Sequence, residues 1–186
     1  MLNVQIPDPF EAVATQVAPS NLQSNIEDTK APQPKSKKEP VGKLANELII
    51  LASHAAHLML QSHLIHLNFE DKNFFGVHKF TKKQYEKHQE QLDRLGELVR
   101  SLDFLLPMCE KGLLSSYKKL KHVESYEGNK MLMTYYENLE QFGMEAKKVA
   151  KIAEKMDAFD IENYCGELIE DCFKASWMIK STLRGC

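Results

Sequence analysis

The stretch HLNFEDKNFFGVH, residues 66–78, is followed by QLDRLGE at residues 91–97, and together they decide how this chain is interpreted. They place His66 and His78 on either side of a turn, and Asp93 and Glu97 four residues apart in a helical stretch. Side chains four residues apart share one face of an α-helix, so both carboxylates can reach one ion. Imidazole combined with carboxylate suits iron and other borderline divalent metals. The spacing therefore predicts a metal site.

Within one chain, the carboxylates lie too far from the histidines for all four residues to bind one metal ion. If residues 78–105 form one helix, Asp93 lies about 22 Å along it from His78 at the helical rise. Metal–ligand bonds are only about 2 Å long. An antiparallel, two-fold partner could lay its own Asp93 and Glu97 against the two histidines. The sequence thus indicates a metal site between two subunits.

Apolar residues recur at helical spacing on both sides of this stretch. One face carries Leu44, Leu48, Leu51, Ala55, Leu58 and Ser62; later faces carry Leu132, Tyr135, Tyr136, Leu139, Phe142 and Ala146, then Tyr164, Leu168, Cys172, Ala175 and Ile179. We predict long helices at about 43–69, 78–106, 127–156 and 160–183, with a short one at about 109–120 and Pro107 as the stop signal of the second. No useful period-two alternation occurs. The fold class is all-α, a four-helix bundle.

The first 42 residues differ from the rest in composition. Six of the seven prolines lie in residues 1–40, among Gln, Asn, Ser and Lys. Such a segment cannot bury enough apolar surface to fold. We predict a disordered tail at 1–42 and a single folded domain at 43–186.

Overall composition excludes several classes of protein. The 186 residues are 43% hydrophobic with a formal net charge of −2, which suits one domain with a core and not a wholly basic nucleic-acid binder. No apolar run long enough for a membrane span and no signal-peptide pattern is present. The cysteines include no CxxC pair, which favours a reducing cytoplasm; Cys165 and Cys172 are expected to be small core residues.

The motif as a whole resembles that of the Dps family, the ferritin-like DNA-binding proteins of starved cells. The resemblance rests on HLNFEDKNFFGVH, on DRLGE beginning fifteen residues after His78, and on ELIEDCFKASWMIKSTL with Trp177, and runs from about Leu44 to Leu183. It implies a ferritin-like bundle with a short helix between the second and third long helices, assembled into a hollow dodecamer. It also implies a ferroxidase that oxidises Fe(II), preferentially with hydrogen peroxide, and stores the ferric iron. The implied iron ligands and catalytic residues are His66, His78, Asp93 and Glu97.

Two positions depart from the family's pattern. Leu67 stands where the family usually has a tryptophan that lies near the iron and can take up oxidising equivalents, which leaves side chains such as Tyr85 as candidate substitutes. Lys82 stands where the family often has a carboxylate, so a second iron would meet a positive charge one helical turn from His78. The first iron position is complete, and occupancy of the second stays open.

Other histidines and acids have weaker interpretations. His54, His57 and His63 are expected to be surface or interface groups, and His57 points about 180° away from His66 at 100° per residue. No Glu-x-x-His motif, the mark of a di-iron site inside a bundle, occurs in the sequence. Four acids are candidates for pore or nucleation surfaces: Glu124, Glu127, Asp157 and Asp160.

DNA binding is open on the sequence alone. The N-terminal lysines Lys30, Lys35, Lys37, Lys38 and Lys43 are balanced by Asp8, Glu11, Glu27, Asp28 and Glu39, but residues 30–43 carry all the lysines and only Glu39. Such a patch could neutralise phosphates, repeated twelvefold in a shell, or could be a solvated linker. If DNA is bound, the protein would associate with the nucleoid. Two other functions remain: a DNA-compacting shell with a vestigial metal site, and a metal buffer without redox chemistry.

Overall fold

The computed structural model describes residues 39–184. Over this range the chain forms five helices: α1 (Glu39–Asn68), α2 (Phe74–Ser101), α3 (Glu110–Leu114), α4 (Gly128–Glu154) and α5 (Phe159–Arg184). Helix α1 packs against α2, α4 packs against α5, α1 also packs against α4, and the short α3 lies on α1. The described residues contain no strand. The all-α bundle with a short helix between the second and third long helices is confirmed.

The helical faces identified from apolar spacing form the core. All six residues of the α1 face are fully buried, from Leu44 to Ser62. Leu132, Tyr135, Leu139, Phe142 and Ala146 of α4 join them, with Leu168, Cys172, Ala175 and Ile179 of α5. Cys165 and Cys172 are buried core residues as expected, and burial raises the pKa of the Cys165 thiol to about 12.

Helix α1 is apolar enough to raise the question of a membrane. Between residues 39 and 184 it alone has the length and composition of a membrane span, over Pro40–Asn68. Most of that stretch is buried against the other helices of the bundle. A core helix has the same composition, so its apolar character is explained by the bundle.

The first two helices begin earlier in the sequence than predicted. Helix α1 begins at Glu39, ahead of residue 43, because Pro40 lies in the first turn, where a helix needs no backbone N–H donor. Most of the predicted tail, residues 1–38, lies outside the described residues, together with Lys30, Lys35, Lys37 and Lys38. Lys43 is exposed on α1. Helix α2 begins at Phe74, one turn before His78.

Helix α2 ends at Ser101, before the predicted end at Leu106, and Pro107 does not stop it. Asp103 adopts a left-handed conformation with φ 65°. The Phe104 N–H then donates to the Val99 carbonyl at 3.2 Å and the Asp103 N–H to the Arg100 carbonyl at 2.8 Å. These two bonds close a left-handed helix cap. Asp157, with φ 54°, ends α4 in the same way.

Helix α3 is shorter than the predicted 109–120. After Leu114 the backbone turns to α1, where the Tyr117 N–H donates to Ser53 Oγ at 3.0 Å. Ser53 Oγ donates to the Leu114 carbonyl at 3.2 Å, and a ring nitrogen of His57 donates to the same carbonyl at 2.9 Å. Hydrogen bonds to α1 thus replace the bonds that would have continued α3.

Candidate metal centre

His66 and His78 meet at the turn between α1 and α2. His66 is two residues from the end of α1 and His78 lies in the second turn of α2. Their rings stack with centroids 3.8 Å apart and planes inclined by 20°. Both side chains are partly exposed. The hairpin therefore presents two imidazoles side by side at the surface.

Each histidine is fixed by the backbone of the other. His66 Nδ1 lies 2.8 Å from the His78 carbonyl oxygen, and His78 Nδ1 lies 2.9 Å from the His66 carbonyl oxygen. A carbonyl oxygen only accepts, so both Nδ1 atoms must carry the proton and donate. Each neutral ring then keeps its lone pair on Nε2. Orientation by a backbone carbonyl through the other ring nitrogen is typical of metal-binding histidines.

Aromatic side chains surround the pair. The Phe74 ring stacks on the other side of His78 at 5.0 Å. Tyr85, two turns after His78 on α2, meets His66 edge-on at 5.5 Å and lies 4.3 Å from the His63 ring. His63 is exposed and its ring is 6.2 Å from that of His66. Tyr85 therefore places a phenol against His66 and His63. Leu67 is 65% exposed.

The turn that holds the pair depends on a glycine of α4. A Cβ at Gly128 would lie 2.8 Å from Phe69 Cε2 and 3.0 Å from Asp71 Oδ2. Phe69 itself is buried at the end of α1. The absence of a side chain at residue 128 lets the 69–73 turn, which joins the two helices that carry the histidines, sit against the start of α4.

Asp93 and Glu97 lie about four and five helical turns after His78 on α2. Both carboxylates are exposed, and Arg94 Nη1 contacts Glu97 Oε2 at 3.1 Å. Such an exposed pair contributes little and can open. Residues 39–184 contain no group of three His, Cys, Asp or Glu side chains arranged to hold a metal within one chain. One chain thus brings the two histidines together and keeps the two carboxylates at a distance from them.

Lys82 is exposed one turn after His78. Its Nζ is 3.7 Å from Glu86 Oε1, and both side chains are more than half exposed, so the pair is weak.

Two histidines form part of the bundle core, which the sequence did not reveal. His88 is 2% exposed, with one ring nitrogen 2.7 Å from Gln91 Oε1 and the other 2.8 Å from the Tyr135 hydroxyl. Burial lowers the pKa of His88 to about 4. His88 continues the buried stripe of α2, from Val77 through Thr81 to Gln91 and Leu95, and that spacing was the available signal.

His54 was expected near a surface and is fully buried. Its ring stacks on Tyr117 at 3.8 Å and meets Phe142 edge-on at 5.0 Å. Neither ring nitrogen has a hydrogen-bond partner of normal geometry. Burial, assisted by the nearby His88 and His57, lowers the pKa of His54 to about 3, and the Asn138 backbone opposes this only partly. His54 is therefore a core residue, too deeply buried to bind a metal ion from solvent.

A ferritin-like domain model matches residues 45–186. The chain belongs to the ferritin-like family. The predicted ferritin-like fold is therefore confirmed by the family as well as by the helices. No curated protein sequence matches the chain significantly.

Solved structures of Dps proteins share this fold. The Dps protein of Bacillus brevis superposes with a TM-score of 0.75 at 19% identity, covering 80% of this chain and 99% of that one. The Dps protein of Vibrio cholerae, described as a member of the ferritin-like diiron-carboxylate superfamily, gives 0.72 at 21% identity, covering 77% and 91%. The Dps of Staphylococcus aureus gives 0.72 at 17%, covering 76% and 95%. At such identities the likeness establishes the architecture.

Proposed function

We propose that this chain is a Dps-type ferroxidase and iron-storage protein, which oxidises Fe(II) with hydrogen peroxide and keeps the ferric product inside a hollow shell. His66 and His78 of one subunit and the partner subunit's Asp93 and Glu97 bind the iron. The shell is a homo-oligomer, a dodecamer by the resemblance, with the site at a two-fold contact. A cytoplasmic location belongs to the same proposal.

The reciprocal hydrogen bonds of the two histidines carry this proposal. They align both rings and assign the Nδ1 proton of each to a backbone carbonyl, so that Nε2 is the atom left for a metal. Such preorganisation means that a metal pays no cost for reorienting the ligands.

An apolar surface beside the histidines supports a partner subunit. Leu60, Leu64 and Leu67 of α1 are 42%, 58% and 65% exposed. They lie at helical spacing on one side of α1, beside His63 and about 100° or more around the helix from His66. Contiguous exposed apolar side chains mark interaction sites. A second copy that covers these leucines and extends past His63 would bring its α2 toward the histidine pair.

The carboxylates suit the oxidation step. Two Fe(II) ions supply the two electrons that, with two protons, convert one peroxide into two waters. Asp93 and Glu97 provide anionic oxygens, which favour the more highly charged ferric ion over the ferrous ion. Fixing the ligands while leaving coordination positions open for the oxidant is the contribution of the protein.

Stopped-flow measurement of peroxide-driven Fe(II) oxidation, followed by gel filtration, tests this function. We expect oxidation faster than in protein-free buffer, with the iron eluting in the assembled fraction. Iron that is retained without accelerated oxidation would instead indicate a metal buffer. DNA retention without either iron result would indicate a compacting shell.

Lys82 should limit each site to one tightly bound iron. Its ammonium repels a second cation near His78, because two like charges a few ångströms apart in a partly screened site cost of the order of 1–4 kcal/mol. The substitution Lys82→Asp should add a ligand and strengthen the second position by tenfold or more, about 1.4 kcal/mol. Anaerobic Fe(II) titration would measure this, with Lys79→Asp as the matched exposed control. Two equally tight irons in the unmodified protein would show that Lys82 is turned away.

DNA binding through the N-terminal segment is the second half of the proposal. Because α1 begins at Glu39, the clean truncation removes residues 1–38 and leaves the bundle intact. If Lys30, Lys35, Lys37 and Lys38 bind phosphates, affinity should fall steeply with salt, by about one decade per decade of salt for each phosphate contacted. A gel-shift series at several salt concentrations measures the slope. We expect the truncated shell to lose DNA and keep iron oxidation; equal DNA binding by both shells would reduce the segment to a linker.

A further inference from the structure

A groove runs between α2 and α5, which do not pack closely along their length. It consists of two cavities of about 340 Å³ and 350 Å³. Both are lined by Phe80 of α2 and Met178 of α5, so they adjoin at these two side chains. Volumes of this size are typical of small-molecule sites.

One end of the groove is cationic. Lys83 and Lys87 of α2 and Lys174 of α5 line it, against a single carboxylate, Asp171. Both oxygens of Asp171 lie 2.8 Å from Lys87 Nζ, so Lys87 satisfies that carboxylate. Among residues 39–184, neither Lys83 nor Lys174 forms an ion pair. This end thus carries two ammonium groups without a counter-ion.

The back wall of the cationic end adds no negative charge. It is formed by His88, Gln91 and Leu139. His88 is neutral, and its ring nitrogens are already bonded to Gln91 and Tyr135. An anion at this end would therefore meet the two lysines and a partly desolvated wall, where charge-assisted hydrogen bonds are strong.

The other end of the groove is mostly apolar, with Asn73, Ser181 and Thr182 as its polar lining residues. Its lining includes Val77, Phe80, Leu132, Met178 and Ile179, with Trp177 at the rim. Met178 and Trp177 are 43% and 65% exposed. Thr182 in this end and Lys174 in the other lie eight residues apart on α5, about 12 Å by the helical rise, which accommodates an extended chain of about ten carbons.

We propose that this groove binds an amphipathic anion, with its oxyanion head at Lys83 and Lys174 and its hydrocarbon chain along Phe80, Met178 and Trp177. The ligand class is an aliphatic carboxylate or alkyl phosphate of medium chain length. The charge at one end and the apolar lining at the other each match one half of such a molecule. The site is separate from the histidine pair and does not depend on iron.

Trp177 is the only tryptophan in the sequence, so its fluorescence reports on the groove directly. Titration of the assembled, full-length protein with decanoate should give a saturable change. Each methylene removed from the chain should weaken binding about fourfold. The double variant Lys83→Gln/Lys174→Gln should bind decanoate about tenfold more weakly or worse. The matched control Lys151→Gln/Lys155→Gln, which removes two exposed lysines of α4 and its C-cap, should bind like the unmodified protein.

Three further ligands separate the halves of the proposal. Decyl phosphate should bind as decanoate does, whereas decanol, without a charge, and orthophosphate, without a chain, should bind far more weakly. Decanol as tight as decanoate, or orthophosphate as tight as decyl phosphate, would overturn the amphipathic site. So would the absence of a saturable response to decanoate, or equal losses in the two lysine double variants.

Discussion

Two inactive variants of this chain should restore activity to each other when they assemble together. One carries His66→Ala and His78→Ala, the other Asp93→Ala and Glu97→Ala. Each alone should oxidise Fe(II) at close to the uncatalysed rate, since even loss of groups that only support metal ligands costs about 10–100-fold. A mixed two-fold pair contains one intact site and one site without any ligand. With random mixing, half of the pairs are mixed, so about a quarter of the activity should return.

The measurement uses co-expression of the two chains with different affinity tags. Sequential purification on both tags isolates mixed shells, and initial rates are compared with those of the unmodified protein. Shells of the two variants purified separately and then combined form the control. If mixed shells stay inactive while retaining the assembled size, the four residues do not share an intersubunit site. His122→Ala, a change at an exposed histidine distant from the pair in sequence, should leave the rate unchanged.

The physical basis of this prediction lies in α2 itself. A straight helix separates His78 from Asp93 by about 22 Å, and no side chain spans that distance. Within one chain, neither the two exposed carboxylates nor the two paired histidines form a full set of metal ligands. Two-fold symmetry resolves this, because an isologous contact presents each half-site to the other.

The helices were predictable because packing alone determines their faces. Leu44, Leu48 and Leu51 recur at the helical period, and the bundle buries all of them. Helix ends were less predictable, because local hydrogen bonds decide them. Asp103 ends α2 in a left-handed conformation that glycine usually adopts, and an aspartate gives little sign of it. Pro107, the obvious stop signal, lies beyond the true end.

The candidate site was predictable in its residues but not in its construction. The spacing of His66 and His78 pointed to a shared end of a hairpin, which the structure shows. Their mutual bonds to backbone carbonyls join residues on either side of the 69–73 turn, which packs against Gly128 of α4. Contacts between residues far apart in sequence leave no local pattern, and the same is true of Tyr85 against His63.

The buried histidines show the limit of expectations based on residue type. Histidine is intermediate in burial, so a surface location was the default for His54. The structure places His54 and His88 in the core, where burial lowers the pKa of His54 to about 3 and that of His88 to about 4. Their effect on stability has a definite sign. The unfolded chain takes up protons as pH falls below about 6.5, whereas the folded core does not until far lower pH. Stability from both residues is therefore present above about pH 6.5 and is lost as pH falls toward their folded pKa values of about 4 and 3.

Replacing His54 by phenylalanine should stabilise the bundle, and more strongly in acid. At neutral pH the change removes two buried nitrogens without partners, worth about 1–3 kcal/mol, while an aromatic ring still packs on Tyr117 and Phe142. At pH 5, which is 1.5 units below the unfolded pKa of His54, protonation of the unfolded chain lowers the free energy of unfolding by about 2 kcal/mol. The phenylalanine variant does not lose this stability. Urea unfolding at pH 7 and pH 5, at one protein concentration, measures both terms. His122→Phe, at an exposed site, should show neither. If His54→Phe loses as much stability between pH 7 and pH 5 as the unmodified protein, protonation of this buried ring is not what makes the bundle acid-sensitive.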